Sequence, residues 1–143
     1  MTGFNDEQVW LGTWGKVWVD GDLLSEATAF RAEVTISYED LIRVQNLMTG
    51  HKMTALAGEG EITLHKVDSY VMKKIAAEIK AGRVPDITIE SSWNDPNGKG
   101  EQRIAVKHVK FEKVTLMDWE AGNIGEESYS FTFSDWEIKN MAL

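Results

Sequence analysis

The segment Ser128-Tyr-Ser-Phe-Thr-Phe-Ser-Asp-Trp136 restricts the fold of this chain more than any other. Tyr129, Phe131 and Phe133 alternate with Ser128, Ser130, Thr132 and Ser134, and a strand has a side-chain period of two. The rings therefore share one face, which must be buried, and the hydroxyls share the other. Neither Lys nor Pro interrupts the run, so its edge, if free, would invite another strand. The same alternation returns at Phe30, Ala32, Val34 and Ile36 against Arg31, Glu33 and Thr35, and again at Ile62 and Leu64. Trp14 to Val19, followed by Asp20-Gly21, predicts a hairpin, because Asp-Gly suits a tight turn with positive φ. Ile87-Thr-Ile-Glu90 predicts a strand leading to Trp93 and a turn at Asn94 to Gly100. From Arg103 to Leu116 the apolar positions move from even (Ile104, Val106) to odd (Val109, Phe111) and back (Val114, Leu116). Such slips of phase predict bulges or corners that curve a sheet.

One stretch has helical spacing. Val71, Ile75 and Ile79 form an apolar stripe with Met72 beside it. Asp68 or Ser69 can cap its start, Gly82 can close it and Pro85 forbids continuation. A helix is thus expected over about residues 69–81. Residues 1–11 read as a flexible, polar N-terminal arm. Leu41, Val44, Leu47 and Met48 have helical spacing, but Gly50 interrupts them and Gly58 and Gly60 follow. Residues 38–58 are therefore expected to be a long inter-strand loop, of a kind that is usually functional or ordered by a partner. Residues 118–127 read as a polar connection. The 143 residues, 43% hydrophobic, suit one domain with a real core. The expected class is α+β: a mostly antiparallel β-barrel or sandwich with one packed α-helix.

Chemistry is poorly supported. A net charge of −8 argues against a protein that grips nucleic acid through phosphates. The absence of Cys excludes disulfides and thiolate chemistry. The start lacks the basic and apolar regions of a signal peptide, and no apolar run reaches transmembrane length. His51, His65 and His108 are scattered, without metal-ligand spacing. Asp95, Asn97 and Gly100 would suit positions 1, 3 and 6 of a calcium loop, but position 12 is then Val106 instead of a bidentate acid. There is no Gly-x-Ser-x-Gly nucleophile motif and no phosphate loop. No enzyme, cofactor or metal is expected. Six Trp in so short a chain favour association, since Trp is enriched at interfaces as well as in cores. Three classes remain: a subunit that assembles with copies of itself, a monomeric β-barrel with a ligand cavity and, last for want of a catalytic set, a hydrolase.

Several stretches decide between them. Gly12-Thr-Trp-Gly-Lys-Val-Trp-Val-Asp-Gly21 resembles the opening hairpin of the tail tube (tail core) proteins of contractile-tailed phages and phage-like elements. The form in prophages of Gram-positive bacteria, including the PBSX type, is the most similar. Gly58-Glu-Gly-Glu-Ile-Thr-Leu-His-Lys-Val-Asp-Ser69 is similar to that family's strand-to-helix passage. Asn94-Asp-Pro, Gly100-Glu-Gln-Arg-Ile-Ala-Val106, Asp118-Trp-Glu-Ala-Gly-Asn-Ile-Gly-Glu-Glu127 and Phe131-Thr-Phe-Ser-Asp-Trp-Glu137 match its second half in order. Residues 38–57 match least.

The resemblance implies hexameric rings, with sheets fused between subunits, stacked into a tube inside a contractile sheath. It implies a virion tail component assembled in the bacterial host cytoplasm. Its partners would be its own copies and the sheath, tape-measure and baseplate proteins, with no membrane. DNA would pass through without specific binding, or be absent in a contractile bacteriocin. The acidic balance would then keep a lumen from holding DNA. Candidate self-assembly residues are Trp14, Trp18, Tyr129, Phe131, Thr132, Phe133 and Trp136, with Leu47, Met48, His51, Lys52 and Met53 from the 38–58 segment. That segment is expected to be mobile in a lone subunit and ordered between stacked rings.

Overall fold

The structure, a computed structural model, describes residues 3, 5–68 and 70–141 and, at positions 71 and 72, the backbone alone. Its strands are β1 (Gly15–Val19), β2 (Asp22–Leu23), β3 (Ala27–Leu41), β4 (Gly50–His65), β5 (Ile87–Trp93), β6 (Gln102–Phe111), β7 (Glu126–Phe133) and β8 (Asp135–Asn140). A helix, α1 (Tyr70–Lys80), lies between β4 and β5. All pairings are antiparallel, in the order β2-β1-β5-β6-β7-β4-β3, with β8 on β6.

The Asp-Gly turn forms as its chemistry requires. Asp20 and Gly21 both take positive φ, 49° and 89°, and close β1 onto β2. The slip of phase in β6 is a bulge. Ile87 pairs with Val109 and Ile89 with Val106, so β6 carries one residue more than β5, and His108 sits at φ 55°. There β6 changes partner, from β8 at residues 103–107 to β7 at Lys110 and Phe111. β7 and β8 are thus one strand broken at Ser134, and the sheet folds over along this line. Val17, Val19, Ile87, Ile89, Val106 and Val109 meet Ile62, Leu64, Tyr129, Phe131 and Phe133 in one core.

The sheet does not close into a barrel. β2 is two residues long and the chain crosses at once into β3, so no ladder joins β1 to β3. The seam between them is a groove of about 590 Å³, lined by Lys16, Phe30, Arg31, Glu33 and Trp93 among others.

At α1, Asp68 caps the Tyr70 amide at 3.0 Å. Gly82, at φ 79°, ends the helix as the Arg83 amide donates to the Glu78 carbonyl and the Gly82 amide to that of Ile79. Ile75 is buried in the core, but Ile79 is 43% exposed, so the stripe is covered only in part. Ser69 and the side chains of Val71 and Met72 lie outside the described residues, as do Met1, Thr2 and Phe4.

Two expectations are corrected. Residues 10 and 11 are not loose: Trp10 packs edge-on against Trp93 at 5.3 Å, and the Leu11 amide donates to buried Asp95 at 2.9 Å. Asp95 also accepts from the Asn97 amide, so it ties a turn together. Nor is 38–58 a long loop. Residues 38–41 and 50–58 belong to β3 and β4, leaving 42–49 as the turn. Gly58 and Gly60 are not breakers: they stand opposite Phe133 and Phe131, whose rings lie where their side chains would be.

Candidate assembly surface

β7 is a central strand. It pairs with β4 along Glu126–Phe133 and, on its other side, with β6 at Phe131 and Thr132, so the aromatic end of the strand has no free edge. Its lack of Lys and Pro reflects interior position. Tyr129 and Phe131 are fully buried and Phe133 nearly so, which places these three candidates in the core instead of on a contact surface. Burial raises the Tyr129 pKa, and the hydrogen bond it donates to Glu127 adds to the shift. The hydroxyl face of β7 meets a polar sheet surface: Thr132 is half-buried opposite Glu59 and Lys110, and Ser130 is opposite Glu61.

The free edges lie elsewhere. Among the described residues, the outer edges of β3 and β8, and of the two-residue β2, have no partner strand. β8 is exposed throughout and carries Trp136 at 42% exposure. It is fastened by Glu90, which accepts from Arg103 at 2.9 Å and Lys139 at 3.3 Å. The Arg103 guanidinium also lies over the Trp18 ring at 4.9 Å, so Trp18 is half-buried and engaged within the chain. Trp14 is exposed in the short turn that precedes β1.

The principal surface feature is an arm. β4 pairs with β7 only over Gly58–His65, whereas β3 and β4 continue to pair with each other as far as Leu41 and Gly50. Val34, Ile36 and Tyr38 are successive positions on one face of β3, continuing the face that buries Phe30 and Ala32 against the core. Beyond Val34 that face is exposed. Ile36, opposite Leu56, and Tyr38, opposite Met53, are all exposed. Ile42, Val44, Leu47 and Met48 at the tip are almost wholly exposed. His51 pairs with Asp40 at 3.0 Å, and Lys52 stands opposite Glu39.

The structure therefore gathers Leu47, Met48, His51, Lys52 and Met53 on this arm, apart from the β7 residues. Ile36, Tyr38 and Leu56 join them; the alternation Val34, Ile36, Tyr38 was the signal, hidden by reading the glycines as breakers. The groove along the seam mixes Lys16, Arg31 and Glu33 with its apolar lining, unlike the apolar cavity a monomeric ligand-binding barrel needs. Among the described residues no group of His, Cys, Asp or Glu could hold a metal, and no helix is long and apolar enough to cross a membrane.

Comparison with known proteins agrees with this architecture. The chain is 28% identical over 130 residues to the phage-like element PBSX protein XkdM of Bacillus subtilis (strain 168), covering 89% of this chain and 88% of that one. Its fold is similar to that of the tube-terminating cap of the anti-feeding prophage, with a TM-score of 0.75 at 10% identity over 98% and 97% of the two chains. It is also similar to a chain of the sheath-tube complex of an extracellular contractile injection system, with a TM-score of 0.70 at 9% identity over 90% and 88%. The family described as phage tail tube protein matches residues 2–140, so this chain belongs to the phage tail tube proteins.

Proposed function

We propose that the chain assembles with copies of itself into hexameric rings that stack into the inner tube of a contractile tail, and that the tube is a conduit for DNA. The observation that carries this reading is the arm: a core face that runs on uncovered needs a second surface, because exposed apolar surface of this extent marks an interaction site. Leu47, Met48, His51, Lys52 and Met53 would meet the next ring. The outer edge of β3 in one copy and that of β8, with Trp136, in its neighbour are available for sheet fusion through main-chain hydrogen bonds. Closure removes those edges, while head-to-tail stacking leaves the tube free to grow. A tube needs a sheath around it, a tape measure within and a baseplate below, and these are the proposed partners in a virion tail. With no DNA-filled head the same tube would serve a bacteriocin. A net charge of −8 suits a lumen through which DNA slides without adhering.

The test is sedimentation and negative-stain microscopy of the purified chain at rising concentration. Rings or tubes of constant diameter are expected. A single copy at every concentration refutes the proposal.

A further inference from the structure

A second unsatisfied pair of surfaces lies away from the arm. Between β6 and β7, residues 112–125 form a connection in which Leu116, Met117, Trp119 and Ile124 are 70 to 83% exposed. Asp118 and Glu120 flank Trp119, and neither carboxylate has an ion-pair or side-chain hydrogen-bond partner among the described residues. An acidic loop built around a tryptophan does not fill any gap in its own chain.

The matching surface is beside α1. Where the helix stripe is uncovered, a slot of about 240 Å³ opens, walled by Ile75, Ile79, Val84, Pro85, Val109 and Phe111. Lys110 also lines it, and Lys80 follows Ile79 on the helix. Both ammonium groups lack an ion-pair partner among the described residues, whereas Arg83 is engaged by Glu78 at 2.8 Å. Residues 70–83 carry Lys73, Lys74, Lys80 and Arg83 against Glu78 alone, a basic surface on a chain whose net charge is −8. The slot is apolar with a cationic rim, and the loop is an apolar anchor between two anions.

We propose that residues 116–124 of one copy dock in the α1–β6 slot of another, with Trp119 as the anchor and Asp118 and Glu120 facing Lys80 and Lys110. This rests on the self-assembly reading and gives it a second contact, within the assembly, independent of the β-edges and the arm. The occupant is a second copy because the chain itself carries an exposed aromatic loop whose two acids complement the slot's cationic rim. A buried aromatic ringed by paired charges is the usual anatomy of an interface hot spot. Such complementarity also sets register, since like charges placed together are strongly disfavoured.

The experiment uses two full-length variants: one with the loop reversed (D118K and E120K) and one with the slot reversed (K80E and K110E). Each, alone, puts like charges together in every contact and is expected to raise the concentration for half-assembly by about tenfold or more. Mixed in equal amounts they restore opposite charges everywhere, and the mixture is expected to assemble within about twofold of wild type. Circular dichroism of each variant confirms the fold, and all four positions are exposed or at a slot rim. If either variant assembles like wild type, or the mixture is no better than its parts, the docking is wrong while the tube reading stands. The first result would assign the loop to a different partner, such as a surrounding sheath. A wild-type chain that stays single overturns both.

Discussion

At the scale of single residues, Gly60 is the position with least latitude. A methyl group there would overlap the Arg31 carbonyl and come within 2.6 Å of the Phe131 ring. The backbone on one side cannot yield and the ring on the other is core. Gly60→Ala is expected to cost about 1–3 kcal/mol, read from urea unfolding. Gly12→Ala, where the added methyl meets nothing, is the control and should stay within about 0.5 kcal/mol of wild type. Equal losses would show that the ring contact is not what requires glycine.

Glu90 offers a second residue-scale test. Burial works to raise its pKa, but hydrogen bonds from Arg103 and Lys139 outweigh burial and hold the carboxyl below its ordinary value of 4.5. A folded-state pKa below the unfolded one means stabilisation that is present above pH 4.5 and fades as pH falls through the folded value. Glu90→Gln is expected to cost about 1 kcal/mol at neutral pH, and the gap to wild type should close in acid. Unfolding midpoints at both pH values decide it; a gap of constant size removes the ion pairs from the account.

At the scale of elements, the arm and the β6 bulge make opposite contributions. The bulge at His108 lets one strand pair with β5 throughout while exchanging β8 for β7 on its other side, so it belongs to the fold. The arm beyond Ile36 and Leu56 is β3 paired with β4 and exposed, outside the core, so it does not. Joining those two paired residues by an Asn-Gly turn in place of residues 37–55 keeps hairpin geometry. The shortened chain should melt within about 4 °C of wild type and no longer form stacked rings. If it stacks normally, the arm is not the contact between rings. The bulge was legible in the sequence because a slip of phase in an apolar pattern has few other causes. The arm was not, because Gly58 and Gly60 look the same whether they end a strand or admit a ring from the neighbouring one.

At the scale of the whole molecule, a sheet that folds over without closing leaves the β3 and β8 edges, the arm and the α1 slot all unsatisfied at once. That combination is costly for a protein that works alone and useful for one that works as many copies. The sequence by itself missed the arm strands and β8, but it determined the inner strands, the span of α1, the buried ring face of β7 and the family. These follow from local periodicity, turn chemistry and the order of short motifs, all of which are properties of neighbours along the chain. Only the tertiary structure decided that β7 is interior, that β3 and β8 are the open edges, that Trp10 is docked, and that the sheet stays open at the β1–β3 seam. Edge or centre, covered or bare, is a relation between strands far apart in the chain, and an alternating pattern reads the same in either place.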